Sequence, residues 1–195
     1  MFFNIFLYIF ANKKENMSVI AFKIYEDKIQ VAFDGRCLSG DLIESENYTK
    51  AYKVSDCLIV GVTGVGDTSE IFKNFVEMNR IVFEKITSKI EAIPMMIRFK
   101  QALIDQYGYT DEDLKELGGF LIMNKQYHAV FYYDDKTLKP YPVRDECTSG
   151  AFGSTRDYTT ALIDAGFSLE DAIKKSAEKY NSVNGNVTTL EISLE

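Results

Sequence analysis

Apolar and polar residues follow two different spacings along the chain, and each spacing predicts one type of element. The segments Ser18–Tyr25 and Lys28–Arg36 are strand-like and are joined by a tight hairpin turn at Glu26 and Asp27. In the second segment apolar residues occupy every other position, as expected of a strand with one buried face. The short apolar run Cys57–Gly64, which ends in glycines, predicts a third strand that is buried on both faces.

Helical spacing follows that strand. A helix is predicted to begin near Thr68, because the residues that recur three and four positions apart form one broad stripe. That stripe consists of Ile71, Phe72, Phe75, Val76, Asn79, Val82, Phe83 and Ile86. A second helix is predicted over Pro94–Tyr107, with the proline in its first turn. Thr110 and Asp113 have the spacing of a capping box that opens a further short helical turn.

The second half of the chain contains the same kinds of element. The predicted strands are Gly119–Met123, Tyr127–Tyr133, Cys147–Gly153 and Val187–Leu194. The predicted helices are Arg156–Ala165, which Gly166 ends, and one capped by Ser168 and Asp171. Blocks of antiparallel strands separated by pairs of helices predict one α+β domain, in which two sheets lie between helical layers.

The first seventeen residues do not fit this pattern. The apolar run Phe2–Ala11 is too short to span a bilayer, which needs ~20 residues. It has no basic region before it and no small-residue cleavage pattern after it, so it does not resemble a secretory signal. Residues 1–17 are either an unusual hydrophobic arm or the result of a start assigned upstream of Met17. The domain itself is expected to comprise residues 18–195.

Composition excludes several functional classes. The formal net charge is -7, so an electrostatic affinity for nucleic acid is not expected, and no segment predicts a membrane partner. The three cysteines, Cys37, Cys57 and Cys147, are widely spaced and odd in number, which predicts reduced, buried thiols in a cytoplasmic protein. The single histidine, His128, excludes multi-histidine metal centres and is expected to be a half-exposed strand residue. No metal and no cofactor are expected.

Few of the remaining residues indicate chemistry when each is taken alone. The run from Gly61 to Gly66 is a glycine-rich strand-to-helix turn and not a P-loop. Exposed backbone N–H groups at such a turn can stabilise an oxyanion. Asp34 ends a strand at an Asp-Gly turn, and Lys50 and Ser154 look like ordinary surface residues.

The order of these residues is more informative than any one of them. Asp34 follows Ser18 by sixteen positions, Lys50 follows it by thirty-two, and Gly61 lies in the next strand. This arrangement resembles the proteasome β-subunit family of N-terminal-nucleophile hydrolases, most nearly the bacterial HslV (ClpQ) type. The segments Asn47-Tyr-Thr-Lys50, Gly61-Val-Thr-Gly64 and Gly153-Ser154 also match the family pattern. The resemblance covers Ser18 to about Ile192.

The resemblance implies a fold and a mechanism. The fold would be the four-layer αββα sandwich of the N-terminal-nucleophile hydrolases. Ser18, freed of residues 1–17, would attack a peptide carbonyl with its own α-amine as the base. Lys50 would lower the pKa of that amine and of the hydroxyl, Asp34 would orient Lys50, the Gly61 N–H would bind the oxyanion, and Ser154 would orient the α-amine.

The resemblance also implies an assembly. The expected partners are identical subunits in a homo-oligomeric ring, an ATP-dependent unfoldase, and unfolded polypeptides as substrates. The chain departs from the family pattern in having serine rather than threonine as the nucleophile. It also has Asn181-Ser-Val-Asn184-Gly185 where the family has D-x-x-S-G. The alternative is a catalytically silent proteasome-like subunit with a role in assembly or binding.

Overall fold

The computed structural model describes residues 18–39, 42–64, 66–143 and 147–195; the predicted extension 1–17 lies outside these ranges. The strands are β1 Val19–Ile24, β2 Lys28–Asp34, β3 Cys37–Ser39, β4 Leu42–Ser45, β5 Ala51–Ser55, β6 Leu58–Val62, β7 Phe120–Asn124, β8 His128–Tyr133, β9 Pro140–Val143, β10 Ser149–Gly153 and β11 Val187–Ser193. The helices are α1 Gly66–Met78, α2 Arg80–Glu84, α3 Lys89–Tyr107, α4 Asp111–Lys115, α5 Arg156–Asp164 and α6 Leu169–Lys179.

The strands form two antiparallel sheets and one small hairpin. The first sheet has the order β10-β1-β2-β11, and the second has the order β5-β6-β7-β8-β9. Strands β3 and β4 pair only with each other. The predicted hairpin of the first two strands is confirmed, with Ile20 opposite Phe33 and Ile24 opposite Ile29.

Three clusters of buried side chains hold the layers together. Ile20, Phe22 and Phe33 of the first sheet pack against Ile59 and Leu121 of the second, which makes the core between the sheets. The opposite face of the second sheet packs against α1 to α4, and the opposite face of the first packs against α5 and α6. The predicted α+β class and its four-layer αββα order are therefore confirmed.

The predicted helical stripe that begins near Thr68 is divided between two helices. Asn79 separates α1 from α2, and its side-chain amide donates to the Phe75 carbonyl at 2.8 Å. Asparagine side chains compete with the backbone in this way, which weakens a helix interior. Phe72, Val76 and Phe83 still face one core, so the periodicity indicated burial correctly although it predicted one continuous helix.

Helix α3 begins earlier than predicted. It starts at Lys89 after the N-cap Ser88, so Pro94 lies inside the helix and not in its first turn. The end of α3 is as predicted, because Gly108 takes a left-handed conformation (φ 72°) that stops the helix after Tyr107. The capping box of Thr110 and Asp113 is also confirmed. Within the described residues, no helix is both long enough and apolar enough to cross a membrane.

Four strands carry no clear signal in the sequence. They are β3, β4, β5 and β9, and each has at most five residues. In β4 the side chains of Leu42 and Ile43 are exposed, so burial does not impose a period on this segment. Strand β9 begins at Pro140 and contains Pro142, and it lies at an edge of its sheet, where missing N–H donors are tolerated.

The strand ends that carry the predicted site residues meet at one end of the sandwich. Val19 pairs with Gly153 and Asp34 pairs with Val187 in the first sheet. In the second sheet, the Val62 N–H donates to the Lys50 carbonyl at 2.8 Å, just before β5 begins. The turns at the opposite end include Glu26 and Asp27, which are exposed.

Gly153 offers a test of how tightly this end is packed. Its φ is +108°, and a Cβ there would lie 2.0 Å from the Ser18 carbonyl oxygen, whereas Gly166 has φ +95° with nothing within 4 Å. Gly166→Ala should cost about 1–3 kcal/mol of unfolding free energy from backbone strain. Gly153→Ala should cost about 1–3 kcal/mol more because the backbones must also move apart. Denaturant unfolding measures both, and equal losses would contradict the close approach.

Candidate active site

Asp34, at the end of β2, is fully buried, and both of its carboxylate oxygens are occupied. Oδ1 accepts from the Lys50 ammonium at 2.6 Å and from the Val19 N–H at 2.8 Å. Oδ2 accepts from the N–H groups of Arg36 at 3.0 Å and Asn184 at 3.4 Å. A buried carboxylate is tolerated when it is paired and hydrogen-bonded in this way.

Lys50 precedes β5 and is 3% exposed. Burial lowers the pKa of its ammonium from the ordinary value, while the Asp34 carboxylate opposes that shift. The predicted contact between Asp34 and Lys50 is therefore present, in a place where water screens it little. Lys53, three residues further along the chain, forms an ion pair with the exposed carboxylate of Asp56 at 3.3 Å.

Ser18 lies directly before β1 and is 3% exposed. Side chains alternate along a strand, so Ser18 is on the same face as Ile20, whose side chain packs between the two sheets. The next N–H, that of Val19, shares Asp34 Oδ1 with the Lys50 ammonium. The beginning of β1 and the Lys50 side chain are thus held by the same carboxylate oxygen.

Ser154 contacts the other side of Ser18. Its backbone N–H donates to the Ser18 carbonyl at 2.9 Å, and its hydroxyl donates to the same oxygen at 3.4 Å. The Ser154 hydroxyl also lies 3.0 Å from that of Ser182. Ser182 occupies one of the two variable positions in the family's D-x-x-S-G pattern, so alignment to that pattern gave no reason to select it.

The structure does not favour Gly61 as an oxyanion donor. Gly61 lies inside β6, paired with Ala51 on one side and Leu121 on the other. The Val62 N–H points to the β5 side, at Lys50, and the Thr63 N–H donates to Gly119 on the β7 side at 3.0 Å. Because N–H directions alternate along a strand, the Gly61 N–H points to β7 and away from Lys50.

Gly64 is better placed for that role. The same alternation directs its N–H to the β5 side, and its φ of +118° marks the end of the strand. Among the described residues, this N–H makes no backbone hydrogen bond. The backbone is crowded there, since a Cβ on Gly118 would lie 1.7 Å from the Thr63 carbonyl oxygen. The glycine-rich turn was recognised in the sequence, and Gly64 lies three residues after the donor predicted there.

The thiols differ from the prediction. Cys37 and Cys57 are half-buried and Cys147 is exposed, so they are not buried thiols, although none of the three is in a disulfide. His128 is half-exposed on β8, as predicted, with its Nε2 2.8 Å from the Cys147 carbonyl oxygen. The described ranges contain no group of three or more His, Cys, Asp or Glu side chains that could hold a metal ion.

Solved structures with the same architecture are known. BPH of Thiobacillus denitrificans, in a complex with epoxomicin, superposes with a TM-score of 0.72 at 16% identity, covering 91% of this chain and 99% of that one. Another BPH structure gives 0.69 at 17%, covering 91% and 98%. HslV from Trypanosoma brucei gives 0.64 at 12%, covering 90% and 99%. The chain matches no family model and no curated protein sequence.

The similarity to these structures extends over nearly the whole of each chain. At such low identities it establishes the fold and not the activity. The chain has the fold of the HslV- and proteasome-type peptidase subunits, in agreement with the resemblance found in the sequence.

Neutralising Asp34 tests how much the buried ion pair with Lys50 contributes to the free energy of unfolding. Asp34→Asn should lower the unfolding free energy by about 3–5 kcal/mol at neutral pH, because the Lys50 charge loses its counter-charge. Burial lowers the pKa of Lys50 in the folded state, whereas in the unfolded state the pKa has its ordinary value. At pH values between the two, the unfolded state therefore binds more protons than the folded state. Stability of the variant should therefore recover as the pH rises.

The matched control is the exposed pair of Lys53 and Asp56. Asp56→Asn should change the unfolding free energy by less than about 1 kcal/mol, with no comparable recovery at alkaline pH. Urea unfolding at several pH values gives both numbers. A loss for Asp34→Asn that stays constant up to alkaline pH would contradict the assignment.

Proposed function

We propose that this chain is the subunit of a self-compartmentalising, proteasome-like peptidase with Ser18 as its N-terminal nucleophile, after removal of residues 1–17. The observation that carries the proposal is the shared oxygen of Asp34. That atom holds the Lys50 ammonium and the N–H that follows Ser18, at 2.6 and 2.8 Å. The charge needed to activate an N-terminal serine therefore lies at the beginning of the strand that the serine opens.

The reaction needs no histidine. The free α-amine of Ser18, with a reference pKa near ~7.7–8.0, takes the proton of the hydroxyl as Oγ adds to the peptide carbonyl. The Lys50 ammonium lowers the pKa of both groups, so amine and alkoxide are formed more easily at neutral pH. The protonated amine then gives its proton to the leaving amine as the C–N bond breaks. Water hydrolyses the resulting ester and regenerates Ser18.

Backbone groups would bind the negative charge that develops on the carbonyl oxygen. We assign this role to the N–H of Gly64 in place of that of Gly61, on the strand alternation described above. A fixed N–H donor at the position of a developing oxyanion typically contributes a hundredfold or more, about 2.7–4 kcal/mol. Ser154, supported by Ser182, would fix the Ser18 backbone on the opposite side.

The assembly is proposed from the same fold. Identical subunits would form a ring that encloses the active sites, and an ATP-dependent unfoldase would supply unfolded polypeptides in the cytoplasm. Closed symmetric rings are a common state of homo-oligomers. The mechanism as proposed uses no cofactor.

The alternative is a catalytically silent proteasome-like subunit that acts in assembly or binding. It follows if the peptide bond before Ser18 is never cleaved, because the α-amine would then be an amide and could not act as a base. The asparagines at positions 181 and 184, where the family has aspartate and serine, are the specific observation that favours it.

A chain that begins at Met17 distinguishes the two functions. It should lose Met17, expose Ser18 and hydrolyse a fluorogenic peptide, whereas a chain that keeps residues 1–17 should be inactive or aggregate. Intact mass identifies the N-terminus in each sample. Full activity in protein whose mass still includes residues 1–17 would refute the mechanism.

Side-chain variants of the shorter chain assign the roles. Ser18→Ala should abolish hydrolysis while changing stability by only about 0.5–1 kcal/mol. Lys50→Ala should also be inactive, whereas Lys53→Ala, at an exposed ion pair, should keep normal activity. Epoxomicin, which one structural neighbour binds, should add its mass to the active chain and not to Ser18→Ala. Equal effects of the two lysine variants would contradict the role of Lys50.

Ring assembly is testable apart from catalysis. Light scattering of the Met17 chain should report a mass several times that of one subunit, and Ser18→Ala should not change it, because the nucleophile is not expected to contact a neighbouring subunit. A species of one subunit's mass at micromolar concentration would contradict the ring.

A further inference from the structure

Asn184 uses the full hydrogen-bonding capacity of its side chain next to Asp34. Its Oδ1 accepts from the N–H groups of Gly35 at 3.0 Å and Asn186 at 3.2 Å. Its Nδ2 donates to the Glu46 carbonyl at 2.8 Å and makes a short contact with the Glu46 carboxylate. A side-chain amide has two donors and two acceptor sites, so none is left unused.

Glu46 is held from the other side by Arg36. The guanidinium donates to both carboxylate oxygens, from Nη2 at 2.9 Å and from Nε at 3.3 Å, which is the planar two-point geometry that fixes both groups. Hydrogen bonds from Asn184 and then Arg36 lower the pKa of Glu46 from its usual value. The third guanidinium nitrogen, Nη1, donates to the Asn181 carbonyl at 2.6 Å.

These three residues, which we call the Asn184 clamp (Arg36, Glu46 and Asn184), join three separate segments. Arg36 follows β2, Glu46 precedes Lys50 by four residues, and Asn184 precedes β11. The N–H groups that hold Asp34 Oδ2 belong to Arg36 and Asn184 themselves. Any loosening of the clamp would therefore move the donors that set the orientation of the carboxylate.

We propose that Asn184, locked by Glu46 and Arg36, is a positioning residue that orients the Asp34 carboxylate and, through it, the Lys50 ammonium. The inference rests on the proposed function in that Lys50 is taken to activate Ser18. It gives Asn184 a role that differs from direct support of the nucleophile. Asn184 is 6% exposed and its N–H donates to Asp34. Asp34 in turn accepts from Lys50, so two hydrogen bonds connect Asn184 with Lys50.

The charges around Lys50 determine the direction of the effect. Burial and the nearby Arg36 lower its pKa, while Asp34 and the Cys37 thiol raise it. A misplaced Asp34 carboxylate would remove part of the raising influence. The pKa of Lys50 would then fall further, and Lys50 would lose its charge at a lower pH.

Asn184→Leu is the informative variant, because it removes the side-chain amide at similar volume and adds no charge near Lys50. We expect the Lys50 titration, followed by NMR of ¹³C-labelled lysine, to move to lower pH. The alkaline limb of kcat/KM should move with it, and kcat should fall about a hundredfold, as for a misplaced catalytic group. A purely structural role would lower the melting temperature without moving the Lys50 titration.

Rescue identifies the contact. The double variant Asn184→Asp/Glu46→Gln keeps the net charge of the clamp and again places one donor opposite one acceptor, with the two groups exchanged. Its Lys50 titration and kcat should lie much closer to wild type than those of Asn184→Leu. Glu191→Gln, at an exposed carboxylate paired with Lys28 at 2.9 Å, is the matched control and should leave both unchanged.

Each outcome decides the proposal. An unchanged Lys50 titration in folded Asn184→Leu protein overturns it, and so does a double variant whose Lys50 titration is shifted as far as that of Asn184→Leu. If wild-type protein hydrolyses no peptide, the proposed function fails, but the Lys50 titration still decides whether Asn184 positions the pair.

Discussion

The ion pair of Asp34 and Lys50 places two full charges almost entirely out of water, and the surrounding backbone is arranged to make that possible. Removing each ion from water costs several kcal/mol, and their attraction offsets this only when the remaining hydrogen-bonding positions are filled. Four donors from four segments occupy the two oxygens of Asp34. The beginnings of β1 and β5, the end of β2 and the loop before β11 must therefore converge on one point.

That convergence requires unusually close backbones, and glycine supplies them. Gly153 lets β10 approach the carbonyl of Ser18, and Gly118 lets the chain before β7 approach Thr63. A side chain at either position would separate strands whose ends must meet. The Asn184 clamp adds side-chain bonds around the same point, so backbone contact and side-chain contact determine the same geometry.

The architecture and the central pair were predictable from the sequence, because both depend on spacing. Alternation gave β1 and β2, helical periodicity gave the outer layers, and the intervals from Ser18 to Asp34 and Lys50 matched a known pattern. The short strands β3 and β4 were not predictable, since none of their residues whose burial is described is buried, and so no buried face imposes a period. The choice between Gly61 and Gly64 as the proposed oxyanion donor depends on the side of the strand to which each N–H points. That direction follows from the pairing of β6 with its neighbours, which the sequence alone does not reveal.

The same limitation explains why Asn184 appeared only as a departure from a family pattern. Its role comes from Glu46 and Arg36, which are far from it in the chain and have no motif in common with it. Side chains that act through such long-range contacts are recognised only when the segments are seen together. By contrast, the Thr110 capping box was recognised at once, because its partners are three residues apart.

The strand arrangement also separates the end of the molecule that holds the buried charges from the opposite end, where the turns are exposed. The turns at Glu26-Asp27 and at Lys125-Gln126 are exposed and lie a full strand, about 17–20 Å, from the end where the charges meet. Nothing that holds Asp34 passes through them. A fluorophore or a short inserted peptide at either turn should therefore leave the contacts of Asp34 unchanged.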